Sequence, residues 1–210
     1  MPILFSESSI FTGRVIAEEV TLQGEAGHAG ATPMNIRHDP LVAAAEIIQA
    51  VEEETLKAGT AVGTVGRLQV QPGGINIIPG TVEFTVDLRD LNQEVGEKLE
   101  QTLLQRIAEV CQRRGIEKII EDLQRVSPVP CSEFIQDAIK KACVTVGKEI
   151  HTLPSGAGHD SMQIAKLCPI GMIFVRSKDG NSHNPDEWST KDDCADGVNI
   201  LYHTLLGLAN

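Results

Sequence analysis

Aromatic side chains are scarce in this chain of 210 residues, which holds one Trp, one Tyr and five Phe, 3% of the total. Proteins that hold single-stranded nucleic acid usually stack its bases on aromatic rings, and that mode has little to work with here. Positive charge is also short. Eighteen Lys and Arg face 29 Asp and Glu, a formal net charge of −11, which repels phosphate backbones and acidic membrane surfaces. No stretch approaches the roughly 18 apolar residues that a membrane span needs. The start, Met1-Pro2-Ile3-Leu4-Phe5-Ser6-Glu7, lacks the basic region and apolar run of a signal peptide. Five widely spaced cysteines (Cys111, Cys131, Cys143, Cys168, Cys194) contain no Cys-x-x-Cys pair, a pattern that reads as reduced thiols. The expectation is a soluble, cytoplasmic protein with neither a nucleic acid nor a membrane partner.

Several catalytic signatures are missing too. There is no Gly-x-Ser-x-Gly nucleophile elbow, no Gly-x-x-x-x-Gly-Lys phosphate loop and no His-Glu-x-x-His zinc helix. None of the cysteines stands in a recognisable nucleophile context, and no internal repeat or low-complexity tract occurs.

What is present is globular: 41% hydrophobic and 22% charged residues are enough for a packed core. The length fits one large domain or two modest ones. Residues 14–24 read as a strand. Asp39-Pro40 opens a helix, with Leu41, Ala44, Ala45, Ile48 and Val51 at helical spacing and Gly59 as its stop. Residues 61–71 read as a strand, and Val82, Phe84, Val86 and Leu88 alternate with polar residues in the strongest strand signal of the chain. A helix follows over 93–114, with Leu99, Leu103, Ile107 and Val110 on one face and Gly115 after it. Residues 116–126 fit a strand, with a helix as the open alternative. This βαββαβ order is the ferredoxin-like pattern, a sheet with two helices on one face.

Pro128 and Pro130 mark a boundary. Beyond it the pattern predicts a helix (132–146), a Gly-rich loop (154–158), a short helix (159–167), an apolar strand (169–175), a polar loop and a last helix (191–208). The fold class is therefore α/β, with an α+β lid. The lone apolar strand reads as buried on both faces, and a tail of about 80 residues is small for an α/β core of its own.

Four segments expose reactive side chains among glycines and prolines: 27–34, 76–90, 155–160 and 181–187. His183 follows a predicted buried strand, with Asp186 and Glu187 close behind; it suits metal ligation, and solvation is the alternative. His28, between small residues, could donate a hydrogen bond to a developing oxyanion, or be a mobile loop histidine. Arg89 ends the strongest strand; its fork suits a substrate carboxylate, and an ion pair with Asp87 or Asp90 is the competing reading. Asn76 suits a turn or a ligand contact. His159 follows Gly158 at a predicted helix start, where backbone N–H groups can meet an anion, or else it caps or packs.

These segments, in this order, resemble the hydantoinase and carbamoylase group of zinc-peptidase-like amidases, which includes allantoate amidohydrolase, N-carbamoyl-L-amino-acid hydrolase and beta-ureidopropionase. Gly27-His28-Ala29-Gly30-Ala31-Thr32-Pro33-Met34, followed by Arg37 and Asp39, carries the likeness, which runs from about Val15 onward. It implies a lid, or dimerisation domain, inserted in a catalytic α/β domain. The corresponding boundaries here are a 1–13 leader, a 14–127 lid and a 128–210 carboxy-terminal portion of the catalytic domain.

The resemblance further implies that His183 ligates one of two divalent ions (zinc, manganese or cobalt). It implies that His28 reaches into the partner subunit's site to polarise the scissile carbonyl, and that Asn76 and Arg89 hold the substrate. The loop at Gly158 and His159 would line the pocket. A metal-bridging water would attack a ureido, N-carbamoyl or allantoate substrate, a small molecule, in a homodimer joined through the lid. The group's other ligands and its general base precede the lid, and no substitute stands in this sequence: no His is followed two positions later by Asp. The expectation is a truncated chain with at most weak single-site metal binding and no activity alone, either a fragment of a longer enzyme or a chain completed by a separate amino-terminal half. The rival readings are a non-catalytic dimerisation module and an amidase or peptidase with another substrate.

Overall fold

The computed structural model describes residues 14–209, so the expected 1–13 leader lies outside the described residues. They fall into two compact units that divide between Pro128 and Val129.

The first unit is built on one four-stranded antiparallel sheet: β1 (Arg14–Gln23), β3 (Val62–Gln71), β5 (Thr81–Asp90) and β6 (Glu117–Val126), in the order β3-β5-β1-β6. β2 (Gly27–His28) and β4 (Ile77–Ile78) make a separate two-stranded ribbon. Helices α1 (Pro40–Ala58) and α2 (Gln93–Arg114) complete the ferredoxin-like order. Alternation in β5 sends Val82, Phe84, Val86 and Leu88 into the core and leaves Glu83, Thr85, Asp87 and Arg89 half-exposed on the other face. A strand's period of two makes that division automatic once one face is covered. Ile16, Val20 and Leu22 of β1 enter the same core. The segment 116–126, open between strand and helix in the sequence, pairs along β1 as β6.

Caps set the helix limits. Asp39 Oδ1 accepts from the amides of Leu41 (2.9 Å) and Val42 (3.4 Å), with Pro40 in the first turn. Asn92 Oδ1 accepts from Glu94 (2.8 Å) and Val95 (3.4 Å) in the same way. These bonds satisfy amides that a helix start leaves without partners. At the far end of α2, Gly115 sits at φ +64°, and a Cβ there would meet the His38 ring at 2.5 Å. The stripe of α2 is the expected one: Leu99, Leu103, Ile107 and Val110 are buried. That of α1 is rotated. Ala43, Ala44, Ile47, Ala50 and Val51 are buried, whereas Ala45 is exposed. Two overlapping apolar sets exist on this alanine-rich helix, and packing against α2 and the sheet selects the one with smaller side chains.

The second unit holds α3 (Glu133–Val146), the single-turn α4 (Ser161–Ile164) and α5 (Lys191–Leu208). α3 and α5 share a core of Ile139, Ala142, Cys143 and Ile200. The predicted helix over 159–167 shortens to α4, with turns continuing to Cys168. The predicted strand over 169–175 forms no ladder among the described residues. Ser132 N–H reaches the Ile170 carbonyl (2.8 Å), and Ile173 packs on the α3–α5 core. The sequence is strand-like, but a strand needs a neighbouring strand to bond with, and among the described residues none pairs with this segment in a ladder. Its open side is an apolar groove of about 790 Å³ lined by Ile135, Ile139, Met172, Leu201 and Leu205. No helix among the described residues is long and apolar enough to cross a membrane.

Glu18, Asp90 and Glu100 are carboxylates buried in the first unit. Glu18 lies 4% exposed, where the β1–β6 register shifts, and Arg125 approaches it at 3.8 Å while bonding Glu100 (2.6 Å) and Asp122 (2.9 Å). Burial, then Glu100 and Asp122, raise the Glu18 pKa above the usual glutamate range, opposed by Arg125. An acid whose folded pKa is raised costs stability as pH climbs from its unfolded pKa through the folded one. Glu18→Gln should therefore raise the melting temperature of this unit by about 2–5 °C at pH 7. Below pH ~4 the gain should vanish, because the carboxyl is protonated in both states. Calorimetry at the two pH values checks it.

Candidate active-site residues

In the first unit the β2–β4 ribbon brings together two of the residues singled out in the sequence. His28 stands opposite Ile77, and the Ala29 amide donates to the Asn76 carbonyl at 2.9 Å. Both His28 and Asn76 are exposed. The loop after His28 turns back at once: the amides of Ala31 and Thr32 both donate to the His28 carbonyl at 3.1 Å. Gly27 permits the return, since a Cβ there would stand 2.9 Å from Thr32 Oγ1. The Gly30 amide donates to His28 Nδ1 at 3.0 Å. That bond needs the Nδ1 lone pair, so a neutral His28 carries its proton on Nε2 and presents a donor there. The ribbon itself escaped the sequence reading. Its signal was the pair Gly27-His28 and Ile77-Ile78, each too short to stand out by periodicity.

Arg89 lies on the half-exposed face of β5 beside Asp87, two residues away on the same side. Nε donates to Asp87 Oδ1 (2.7 Å) and Nη2 to Oδ2 (2.9 Å), a bidentate pair. The hydrogen bonds to Asp87 hold the guanidinium pKa above its ordinary value, against the opposing effect of burial. Of the two ion-pair partners open in the sequence, Asp87 is the one used. Asp90 instead accepts from the Thr60 hydroxyl (2.7 Å) and the Asn92 amide (2.6 Å).

In the second unit Ser155, 5% exposed, sits 2.9 Å from His159 Nε2 through its Oγ. The His159 ring also meets Phe174 edge-on, with centroids 6.4 Å apart. His159 precedes α4, and its carbonyl accepts from Met162 at 3.0 Å. With only one helical turn behind it, α4 offers little dipole to an anion. A Cβ on Gly158 would meet nothing within 4 Å, so no protein atom accounts for a glycine there. Ser155 was not singled out in the sequence; its place four residues before His159 was the available sign.

His183 is exposed in the 181–187 loop, with φ +55°. Its amide donates to Glu187 Oε2 at 2.9 Å, and Asn184 Oδ1 accepts from the Asp186 amide at 2.9 Å. Glu187 thus serves to hold the loop backbone. Left-handed backbone is uncommon outside glycine, and such conformations gather at functional sites. Among the described residues no group of three or more His, Cys, Asp and Glu side chains could hold a metal ion. His183 therefore does not make a two-metal centre with the other described residues.

Comparison with known proteins gives these residues a context. Residues 14–207 match the sequence profile of peptidase family M20/M25/M40. The N-carbamoyl-L-amino acid amidohydrolase of Geobacillus stearothermophilus is 53% identical over 189 residues, covering 90% of this chain and 46% of that protein. The allantoate amidohydrolase of Bacillus subtilis is 35% identical over 192 residues, covering 90% and 46%. The solved structure of a hydantoinase/carbamoylase family amidase from Burkholderia vietnamiensis superposes with a TM-score of 0.92 at 32% identity, over 97% of this chain and 49% of that one. The chain spans about half the length of the curated relatives it matches.

The backbone at His183 yields a test that needs no ligand. A β-branched residue tolerates positive φ worst and glycine best. His183→Val should be less stable than His183→Gly by about 1 kcal/mol, read from urea denaturation followed by circular dichroism. Equal stabilities would show that the loop relaxes to another backbone.

Proposed function

The chain belongs to peptidase family M20/M25/M40, and we propose that it forms part of a metal-dependent amidohydrolase cleaving linear C–N bonds of N-carbamoyl amino acids or allantoate. The observation that carries this reading is the His28 imidazole. Its Nδ1 is engaged by Gly30, so its Nε2–H is a donor, on a loop fixed beside Asn76. A preoriented neutral donor is what a carbonyl needs as it gathers negative charge during attack on the C–N bond. Names of the 53% and 35% identical relatives support the substrate class.

In this reading His28 polarises the scissile carbonyl in the partner subunit's site, and the lid of residues 14–127 joins the two copies. Asn76 bonds the substrate. Arg89 holds the substrate carboxylate while Asp87 keeps the guanidinium in plane. A planar fork already anchored on one edge loses little freedom when it meets a second carboxylate. The loop at Gly158 and His159 lines the pocket, where a glycine that no protein atom requires leaves room for close approach. His183 is one ligand of a divalent ion: zinc, manganese or cobalt. The described residues do not fit a two-metal centre unaided, so the other ligands and the activated water would come from outside residues 14–209, for example from a separate amino-terminal half. A cytoplasmic location belongs to the same reading, supported by five free thiols.

Mixing the chain with the amino-terminal half of the Geobacillus relative tests it. Hydrolysis of an N-carbamoyl-L-amino acid or of allantoate is expected in the mixture, with bound metal measured in parallel. A dimer with no hydrolysis in the mixture would instead mark a non-catalytic module, and turnover of a dipeptide alone would mark another substrate class. Within an active mixture, Arg89→Lys should raise KM roughly 10- to 100-fold with a much smaller change in kcat, the mark of lost uniform binding.

A further inference from the structure

We propose that Arg37 is a positioning residue for His28, its guanidinium acting as a clamp on the loop that carries the imidazole. Nε and Nη2 donate to the Thr32 carbonyl at 3.0 and 2.8 Å, and Nη2 donates also to the Ala29 carbonyl at 2.6 Å. These two carbonyls bracket the turn that His28 closes from the other side, where its own carbonyl accepts the Ala31 and Thr32 amides. The Ala29 amide is held by Asn76, and the Gly30 amide by the His28 ring. The amides and carbonyls of residues 28–32 are thus held largely by one another, by Asn76 and by Arg37.

Among the described residues Arg37 forms no ion pair, although the chain carries 29 acidic residues. A cation spent wholly on backbone carbonyls, half-buried beside an exposed loop, serves the shape of that loop. The planar fork matters: Nη2 bridges the two carbonyls, three residues apart, while Nε adds a second bond to Thr32 in the same plane, an arrangement that an ammonium does not reproduce. If the clamp were removed, the Ala29 and Thr32 carbonyls would turn to water, the turn would open, and the Gly30 bond that fixes the imidazole tautomer would go with it. Arg37 acts through His28 and is assigned no contact with substrate. The proposal rests on the catalytic reading of His28 for its functional consequence, and on the loop geometry alone for its structural one.

Nuclear magnetic resonance on the full chain tests the structural part without any substrate. Arg37→Gln should speed amide exchange at Ala31 and Thr32 at least 10-fold and bring the two ring 15N shifts of His28 together, while β5 amides keep their protection. Arg37→Lys should fall between. Unchanged loop exchange and ring shifts in Arg37→Gln would overturn the proposal, as would an equal loss of protection in β5 in both variants. In the complemented enzyme, Arg37→Gln should lower kcat roughly 10- to 100-fold with KM within about threefold, and Arg37→Lys should recover part of it. A normal kcat in Arg37→Gln where His28→Ala is inactive overturns the clamp. Full activity in His28→Ala overturns the catalytic reading instead and leaves the resonance result standing.

Discussion

The two-residue period of β5 is the constraint from which the first unit follows. Phe84 and its neighbours must lie under the helices, because only that face is covered, and this leaves Asp87 and Arg89 side by side on the opposite face. A one-residue slip would bury both charges and expose Phe84, so the register is strongly specified. The same strand pairs with β1 on one side and β3 on the other, and Gly80, just before it, donates its amide to Gln71 at 2.9 Å. Through that turn the strand also fixes β4, and through β4 the loop of His28. Packing of a few aliphatic side chains is thereby tied to the placement of an exposed imidazole.

Two arginines divide the polar labour of this unit. Arg89 is ordered by a carboxylate on its own strand, and Arg37 by carbonyls of its own loop. Both are half-exposed, which leaves solvent as competitor at each. Their hydrogen bonds shape local geometry more than they add to global stability, since partly solvated charged contacts are individually worth little. Stability of the unit rests on the aliphatic core, at whose margin Arg125 answers the buried carboxylates of Glu18 and Glu100.

Much of this fold was legible in the sequence because local and global preferences agree. Asn92 and Gly115 bound α2 where the pattern expects, and the alternation of β5 is unbroken. Legibility failed where the deciding partner is remote. The phase of α1 is chosen by α2 and the sheet, among alanines that look alike in sequence. Two-residue strands such as β2 and β4 have no period to read. Residues 169–175 carry a strand composition without a ladder. The candidate site was legible by residue type: His28, Asn76, Arg89, His159 and His183 all sit in loops or at a strand end. Their support was not. Nothing in the spacing says that Arg37 grips Ala29 and Thr32, that Ser155 meets His159, or that Glu187 holds the amide of His183. Such contacts depend on turns whose closure only coordinates display.

The unladdered segment 169–175 has a further consequence for the second unit. It joins no ladder among the described residues, while Ile173 packs on the α3–α5 core and Ile170 packs beside Cys131. A backbone without a ladder lowers its free energy whenever another extended chain lies alongside. High concentration and strong salt would therefore favour association along this hydrophobic ribbon, however acidic the surface around it.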